Sequence, residues 1–201
     1  MICADLHIHT NHSSDSTIRP KTLVEQLTVQ NLINVAAVTD HNTVNGCSVT
    51  QKLASAYPDI LVIPGVEITT QEGDIVLLGT AEIPPEPHTV ETVIEFAREN
   101  NCVSVVAHPY REFGMGDLAK HYNFDAVEVA NGTSSSYANK LARDLAKSMD
   151  LPSVAGSDAH RPSELWTAYT EVHASLNIDE ILKAIKKGLT ASHSCNRSIG
   201  F

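Results

Sequence analysis

Apolar, β-branched runs alternate with amphipathic stretches along nearly the whole chain. Candidate strands read as INVAAVTD (33–40), ILVIPGVEI (60–68), DIVLLG (74–79), CVSVVAH (102–108), DAVEVAN (125–131) and PSVAGSD (152–158), behind an opening strand around DLHIHT (5–10). Helices are expected over 21–30, where Pro20 supplies a helix-start residue, and over 89–101, where a Thr is followed closely by Glu. Further helices are expected over 135–150 and over 177–188, the latter ending at Gly188. EIPPEPH (82–88) reads as an irregular loop. Strand alternating with helix implies parallel β-α units of an α/β fold, with about seven or eight strands. That leaves a closed barrel or an open doubly wound sheet, and in both the ligands gather where the strands end.

The polar residues collect at those ends. His9 follows the first strand, Asp40-His41 the second, Glu67 sits late in the third, His108 follows VSVVA, and Asp158-Ala159-His160 follows PSVAG. Alternation on an extended strand would put Asp5, His7 and His9 on one face and Leu6 and Ile8 on the other. Such a row of titratable groups is costly to bury without a cation. His, Asp and Glu without Cys suit Zn, Mn or Fe. His7 and His9 can grip one ion together, Asp158 and His160 repeat the spacing, Glu67 can bridge two ions, and Asp15 lies just beyond His9. Asp5 is placed to support a histidine ring from behind, and Asp40 to do so beside His41.

Composition narrows the field. The 201 residues suit a single domain over 1–201, and an apolar share of 42% allows a sizeable core. A net charge of −10 argues against an extended nucleic-acid surface but not against an anionic substrate held by metals. The four cysteines are scattered with no C-x-x-C pair, as expected of reduced thiols in a cytoplasmic protein. The sequence shows no apolar run long enough for a membrane span and no signal-peptide pattern, so no membrane partner is expected.

DLHIHTNHSSD, VTDHN, VIPGVEIT, VVAHPYR and VAGSDAH together resemble the motifs of the PHP (polymerase and histidinol phosphatase) family, in the family's order, from Asp5 to His160. The resemblance implies a distorted (β/α)7 TIM-like barrel with two or three divalent ions (Mn, Zn or Fe) at its C-terminal rim, and a phosphoesterase activity. It implies a first ion on His7, His9, Glu67 and Asp158, a second on Asp15, His41 and His160, and a third on Glu67 and His108. Some relatives add a histidine to the third ion from the strand after the glutamate. Here that position is Val76, which binds no metal, and Asp74 on the same strand is not counted among the ligands. A substrate-lid insertion of some relatives is missing, which leaves the mouth open.

The expected reaction is hydrolysis of a phosphate ester (a small phosphomonoester, nucleotide or short oligonucleotide) by a hydroxide held between the ions. Arg111 and Arg161, each beside a ligand, are candidates to bind phosphate. His12 and His121 are candidate proton donors to the leaving group, and Tyr110 could stack on a base or sugar. Two alternatives stand beside this. An amidohydrolase-like metal enzyme would be marked by a carboxylated lysine at a strand end, and none is seen. A non-catalytic docking module would have lost ligands, and Val76 is the one clear loss.

Overall fold

The computed structural model describes residues 1–195; residues 196–201, the end of the ASHSCNRSIGF tail, lie outside the described residues. Nine strands form one strongly curled sheet: β1 (Ile2–Ile8), β2 (Val35–Val38), β3 (Leu61–Thr69), β4 (Asp74–Leu78), β5 (Val103–Val106), β6 (Ala126–Asn131), β7 (Ser153–Gly156), β8 (Ala168–Val172) and β9 (Thr190–Ser194). Their order across the sheet is β7-β6-β5-β4-β3-β2-β1-β8-β9. Among the described residues five α-helices cover it: α1 (Pro20–Val29), α2 (Asn45–Ala54), α3 (Val90–Glu99), α4 (Ser136–Met149) and α5 (Ile178–Lys186). No helix among the described residues is long and apolar enough to cross a membrane.

The sheet nearly closes into a barrel. Past the end of β7, Asp158 N–H donates to the His7 carbonyl at 2.7 Å and His9 N–H donates to the Ala159 carbonyl at 3.1 Å. These bonds stitch the β7 end to β1. Gly156 makes the seam possible, because a Cβ there would lie 2.5 Å from His7 Cβ and 2.6 Å from His7 N. Gly156→Ala is therefore expected to destabilise the protein by about 1–3 kcal/mol, the usual cost of overpacking, read as a lower denaturant midpoint.

Pairing is mixed rather than all parallel. β4 runs antiparallel to both β3 and β5, and β8 and β9 are antiparallel to their neighbours. Four residues join β3 to β4, too few for a crossover, so the chain turns back as a hairpin. α2, β8 and β9 are additions to the sequence reading. α2 and β9 are mostly polar, and β8 alternates burial in the manner of a half-exposed strand.

Leu6, Ile63, Val76, Val105 and Val154 form the barrel interior, where α5 adds Ile181, Leu182 and Ile185. Val35, Val103 and Ala126, the first residues of β2, β5 and β6, share that cluster, so α5 fills the mouth at which the parallel strands begin. The opposite mouth is left for polar side chains. α1 and α2 pack outside on Ile8, Val38 and Val62.

β1 corrects one expectation. Its pairing with β2 shifts register between Asp5 and Ile8, the signature of a bulge. Strict alternation fails there, and Leu6 enters the barrel interior while Ile8 joins the outer cluster with α1. Leu6 and Ile8 therefore do not share a face.

Candidate metal centre

At the open mouth, four buried side chains from three strands converge. His7 Nε2 and His9 Nε2 are 3.1 Å apart. Glu67 Oε2 lies 3.3 Å from the first and 3.2 Å from the second. Asp158 Oδ1 lies 3.6 Å and 3.2 Å from the same two nitrogens. A tetrahedral ion with bonds of about 2.0–2.2 Å needs donor–donor edges of about 3.3–3.6 Å, so this is the spacing of a cage around one small cation. Glu67 Oε2 and Asp158 Oδ1 are buried and have no hydrogen-bond partner, although imidazoles stand close by. Two orphaned carboxylate oxygens in a dry interior are costly unless a cation meets them. The donor set and the orphaned atoms both fit a divalent metal.

Two further groups adjoin the first. His41 Nδ1 is 3.1 Å from Glu67 Oε2, and His160 Nε2 is 3.1 Å from Asp15 Oδ2, with His41 Nε2 at 3.5 Å from the same oxygen. The Asp15 and His41 side chains are 50% and 30% exposed, so this flank of the mouth is open to solvent. On the other flank His108 Nε2 is 3.0 Å from Glu67 Oε1 and 4.0 Å from Asp74 Oδ2. His9, His41 and His160 on one side, and Glu67, Asp74 and His108 on the other, each bring donor atoms within 4.8 Å of one another. Asp74, not expected among the ligands, is thus part of the cluster. His108 and Asp158 have φ of +26° and +52°. A non-glycine residue in that region costs about 1–3 kcal/mol, strain of the kind that gathers at functional sites.

The imidazoles are held from behind so that the named nitrogens face the centre. His7 Nδ1–H donates to Glu128 Oε1 at 3.1 Å, and Glu128 Oε2 accepts the His108 backbone N–H at 2.9 Å. His9 Nδ1–H points to Ser13 Oγ at 3.4 Å, and the Ser13 hydroxyl donates to Asp40 Oδ1 at 3.1 Å. His160 Nδ1–H donates to the Asp158 carbonyl at 2.9 Å. Asp40 therefore supports His9 through a serine, and also binds Thr10 N–H at 2.6 Å, rather than touching the His41 ring. Gly46 leaves room for it, since a Cβ there would lie 2.0 Å from Asp40 Oδ2.

Asp5 departs from its expected role. Its carboxylate accepts the backbone N–H of Ser157 at 2.8 Å, and of Trp166 and His7 at longer range, so it anchors the β7 end instead of a ring. The residue that does hold the His7 ring is Glu128, which lies in none of the strand-end motifs. Its signal is a glutamate in the middle of a strand whose six residues are all buried. Glu128→Gln is expected to weaken metal affinity by about 10–100-fold, as removal of such supporting partners does, checked by zinc titration against a fluorescent chelator.

The electrostatics favour protonated imidazoles facing ionised carboxylates. Burial disfavours the charged form of His9, but the Asp158 and Glu67 carboxylates outweigh it and raise its pKa to about 9. His7 is raised well above its ordinary value against the same burial cost, by Asp158, Glu128 and Glu67. Burial pushes Glu67 and Asp158 up, yet the facing histidines hold both well below the usual carboxylate range. Burial raises Asp74, with the Glu67 charge adding to it, and burial lifts Asp5 to about 7.

Of the other sequence candidates, Arg111 reaches the rim. Its guanidinium contacts Asp158 Oδ2 and Thr133 Oγ1, and its side chain is 33% exposed. Asn131 and Thr133 bind that same carboxylate oxygen at 3.1 Å. Arg161, next in sequence to His160, is 74% exposed and pairs with Glu164 at 3.5 Å. His12 is exposed in the loop between His9 and Asp15. His121 instead lines a cavity with Ser104, Asp125 and Lys186, at the starts of β5 and β6, so it is far from the mouth. The Tyr110 hydroxyl donates to Asp117 at 3.0 Å.

The protein is a nearly closed α/β barrel that converges buried imidazoles and carboxylates at one mouth, a donor set that suits divalent metal. The chain belongs to the PHP-domain family. Residues 136–190 match the model of the PHP-associated family. Two uncharacterized proteins of Methanocaldococcus jannaschii are similar: MJ1587 is 34% identical over 140 residues, covering 64% of this chain and 81% of the relative. MJ0417 is 32% identical over 187 residues, covering 88% and 72%. Among solved structures, PsfC from Pseudomonas syringae PB-5123 superposes with a TM-score of 0.72 at 18% identity, over 98% of this chain and 93% of its own. An amidohydrolase of Chromobacterium violaceum, solved with bound sulfate, gives 0.65 at 17% identity over 80% and 88%. A Bifidobacterium adolescentis protein described as a metal-dependent phosphoesterase gives 0.60 at 18% identity over 78% and 87%. At these identities the superpositions establish the fold.

Proposed function

We propose that this protein is a metal-dependent phosphoesterase acting on a small phosphorylated substrate at the open mouth of the barrel. The observation that carries the reading is the pair of orphaned carboxylate oxygens, Glu67 Oε2 and Asp158 Oδ1, buried against His7 and His9. His7, His9, Glu67 and Asp158 would hold one divalent ion, with Asp15, His41 and His160 beside them for a second. Bound ions of this kind activate water and neutralise charge on phosphoryl oxygens.

The chain's own residues supply the rest. Arg111 stands at Asp158 with a third of its side chain exposed, and its remaining N–H groups can receive a phosphoryl oxygen. Its contacts to Thr133 and Asp158 fix the guanidinium before substrate arrives, so little freedom is lost on binding. His12, exposed between His9 and Asp15, is the candidate to give a proton to a leaving oxygen. Glu128 and Ser13 keep Nε2 of His7 and His9 turned inward.

Amide hydrolysis is the second reading, because the Chromobacterium violaceum amidohydrolase shares the fold. Every lysine among the described residues sits on a helix, a helix cap or the 3-10 turn Gly116–His121, so none is on a strand to be carboxylated at the rim. That favours the phosphate ester. The test is a phosphate-release panel on an aryl phosphate, nucleotides and sugar phosphates with Mn, Zn or Fe. Activity that disappears with a chelator and returns with metal is expected; full activity after exhaustive chelation overturns the reading.

A further inference from the structure

We propose that Asp74 completes a third cation position with Glu67 and His108, replacing from one step higher on β4 the ligand that Val76 cannot supply. The inference rests on the metal-centre reading above and adds a residue to it. In the β3–β4 hairpin Glu67 pairs with Val76 and Thr69 pairs with Asp74. Residues two apart on a strand share a face, so Asp74 lies above Val76, nearer the open mouth. Val76 belongs to the apolar barrel interior, while Asp74, 6% exposed, lies beyond it.

The carboxylate is aimed into a donor group. Asp74 Oδ2 is 4.0 Å from His108 Nε2, which is itself 3.0 Å from Glu67 Oε1. Asp74 Oδ1 is buried without a hydrogen-bond partner. No lysine or arginine among the described residues pairs with Asp74; its one ion-pair contact is His108. A second buried carboxylate beside Glu67 therefore adds negative charge that the protein's own cations do not balance, and a buried charge of that kind needs a counter-ion. A divalent ion between Asp74, Glu67 and His108 would balance it.

The donor set also sets the preference. Two carboxylates and one imidazole are harder than the histidine-rich set around His7 and His9, so this position should discriminate less against Mn than that set does. It should also exchange faster than the histidine-rich positions.

Equilibrium dialysis against Mn, with bound metal measured by mass spectrometry, tests this on the full chain. The expected result is one fewer Mn per chain in Asp74→Asn than in the native protein, with the remaining ions held as tightly as before. Asparagine keeps the shape, and a thermal melt checks that the variant is folded. An equal Mn count in the two proteins overturns the proposal while leaving the metal centre intact. Loss of every ion in a folded Asp74→Asn also overturns it, since Asp74 would then support the whole centre. A native protein that binds no Mn overturns the metal-centre reading and this proposal together.

Discussion

Replacing Glu67 with alanine is expected to strip divalent metal from more than one position and to lower hydrolysis by more than about 10³-fold. One electrostatic contact to a reacting group is commonly worth 10²–10³ in turnover, and Glu67 is placed to serve several at once. Its Oε2 lies within 3.1–3.3 Å of nitrogens of His7, His9 and His41, and its Oε1 lies 3.0 Å from His108. Glu67 thus faces four imidazoles, against three for Asp158. A carboxylate in that position can bridge two ions, so its loss removes a ligand from each. Metal content and turnover, measured on the same preparation, check this. Glu67→Ala that keeps the native metal complement would remove Glu67 from the centre, whatever happened to activity.

The chelated protein should lose thermal stability as pH rises from about 6.5 to about 9. His9 titrates at 6.5 unfolded and at about 9 folded. A raised folded value means that its stabilisation is complete below 6.5 and is lost as pH climbs through 9, a change of about 3 kcal/mol. His7 is shifted in the same sense by the facing carboxylates. Asp5, raised to about 7 by burial, gives a decline of the same sign at lower pH, since its stabilisation is present below about 4 and is already lost by pH 7. His41, lowered chiefly by burial, works the other way: its stabilisation is present above 6.5 and lost as pH falls. At the acid end Glu67 and Asp158 are held well below their ordinary values. Their stabilisation is present above about pH 4 and is lost as pH falls through the folded values. Metal binding displaces the protons on His7 and His9, so the alkaline decline should vanish in Mn- or Zn-loaded protein. Calorimetry from pH 5.5 to 9.5, with and without chelator, reads both arms. A chelated protein that is as stable at pH 9 as at pH 6 would contradict this assignment of charges.

Most of the cluster is legible in the sequence because its side chains sit at or near strand ends. His7, His9, Glu67, His108 and Asp158 follow or close apolar runs, and the fold gathers those ends at one mouth. What was hidden depends on register and spacing. The bulge in β1 cannot be read from DLHIHT, so Asp5 was grouped with the histidines that it does not support. Glu128 and Asp74 lie within strands rather than after them, and each is buried where an apolar residue would ordinarily stand. A buried acid needs a partner, and that physical demand was the available signal. The β3–β4 hairpin was also available, since four residues cannot cross over a sheet. β9 was not, because its polar sequence, TASHS, gains strand structure from pairing with β8.

Anomalous diffraction at the manganese edge, from crystals equilibrated with Mn, tests most directly whether side chains from β1, β3 and the β7 end jointly cage divalent cations. The expected map has a peak within about 2.0–2.3 Å of His7 Nε2, His9 Nε2, Glu67 and Asp158, with a second beside His41 and His160. A native, well-ordered cage with no anomalous density between those four side chains would contradict it.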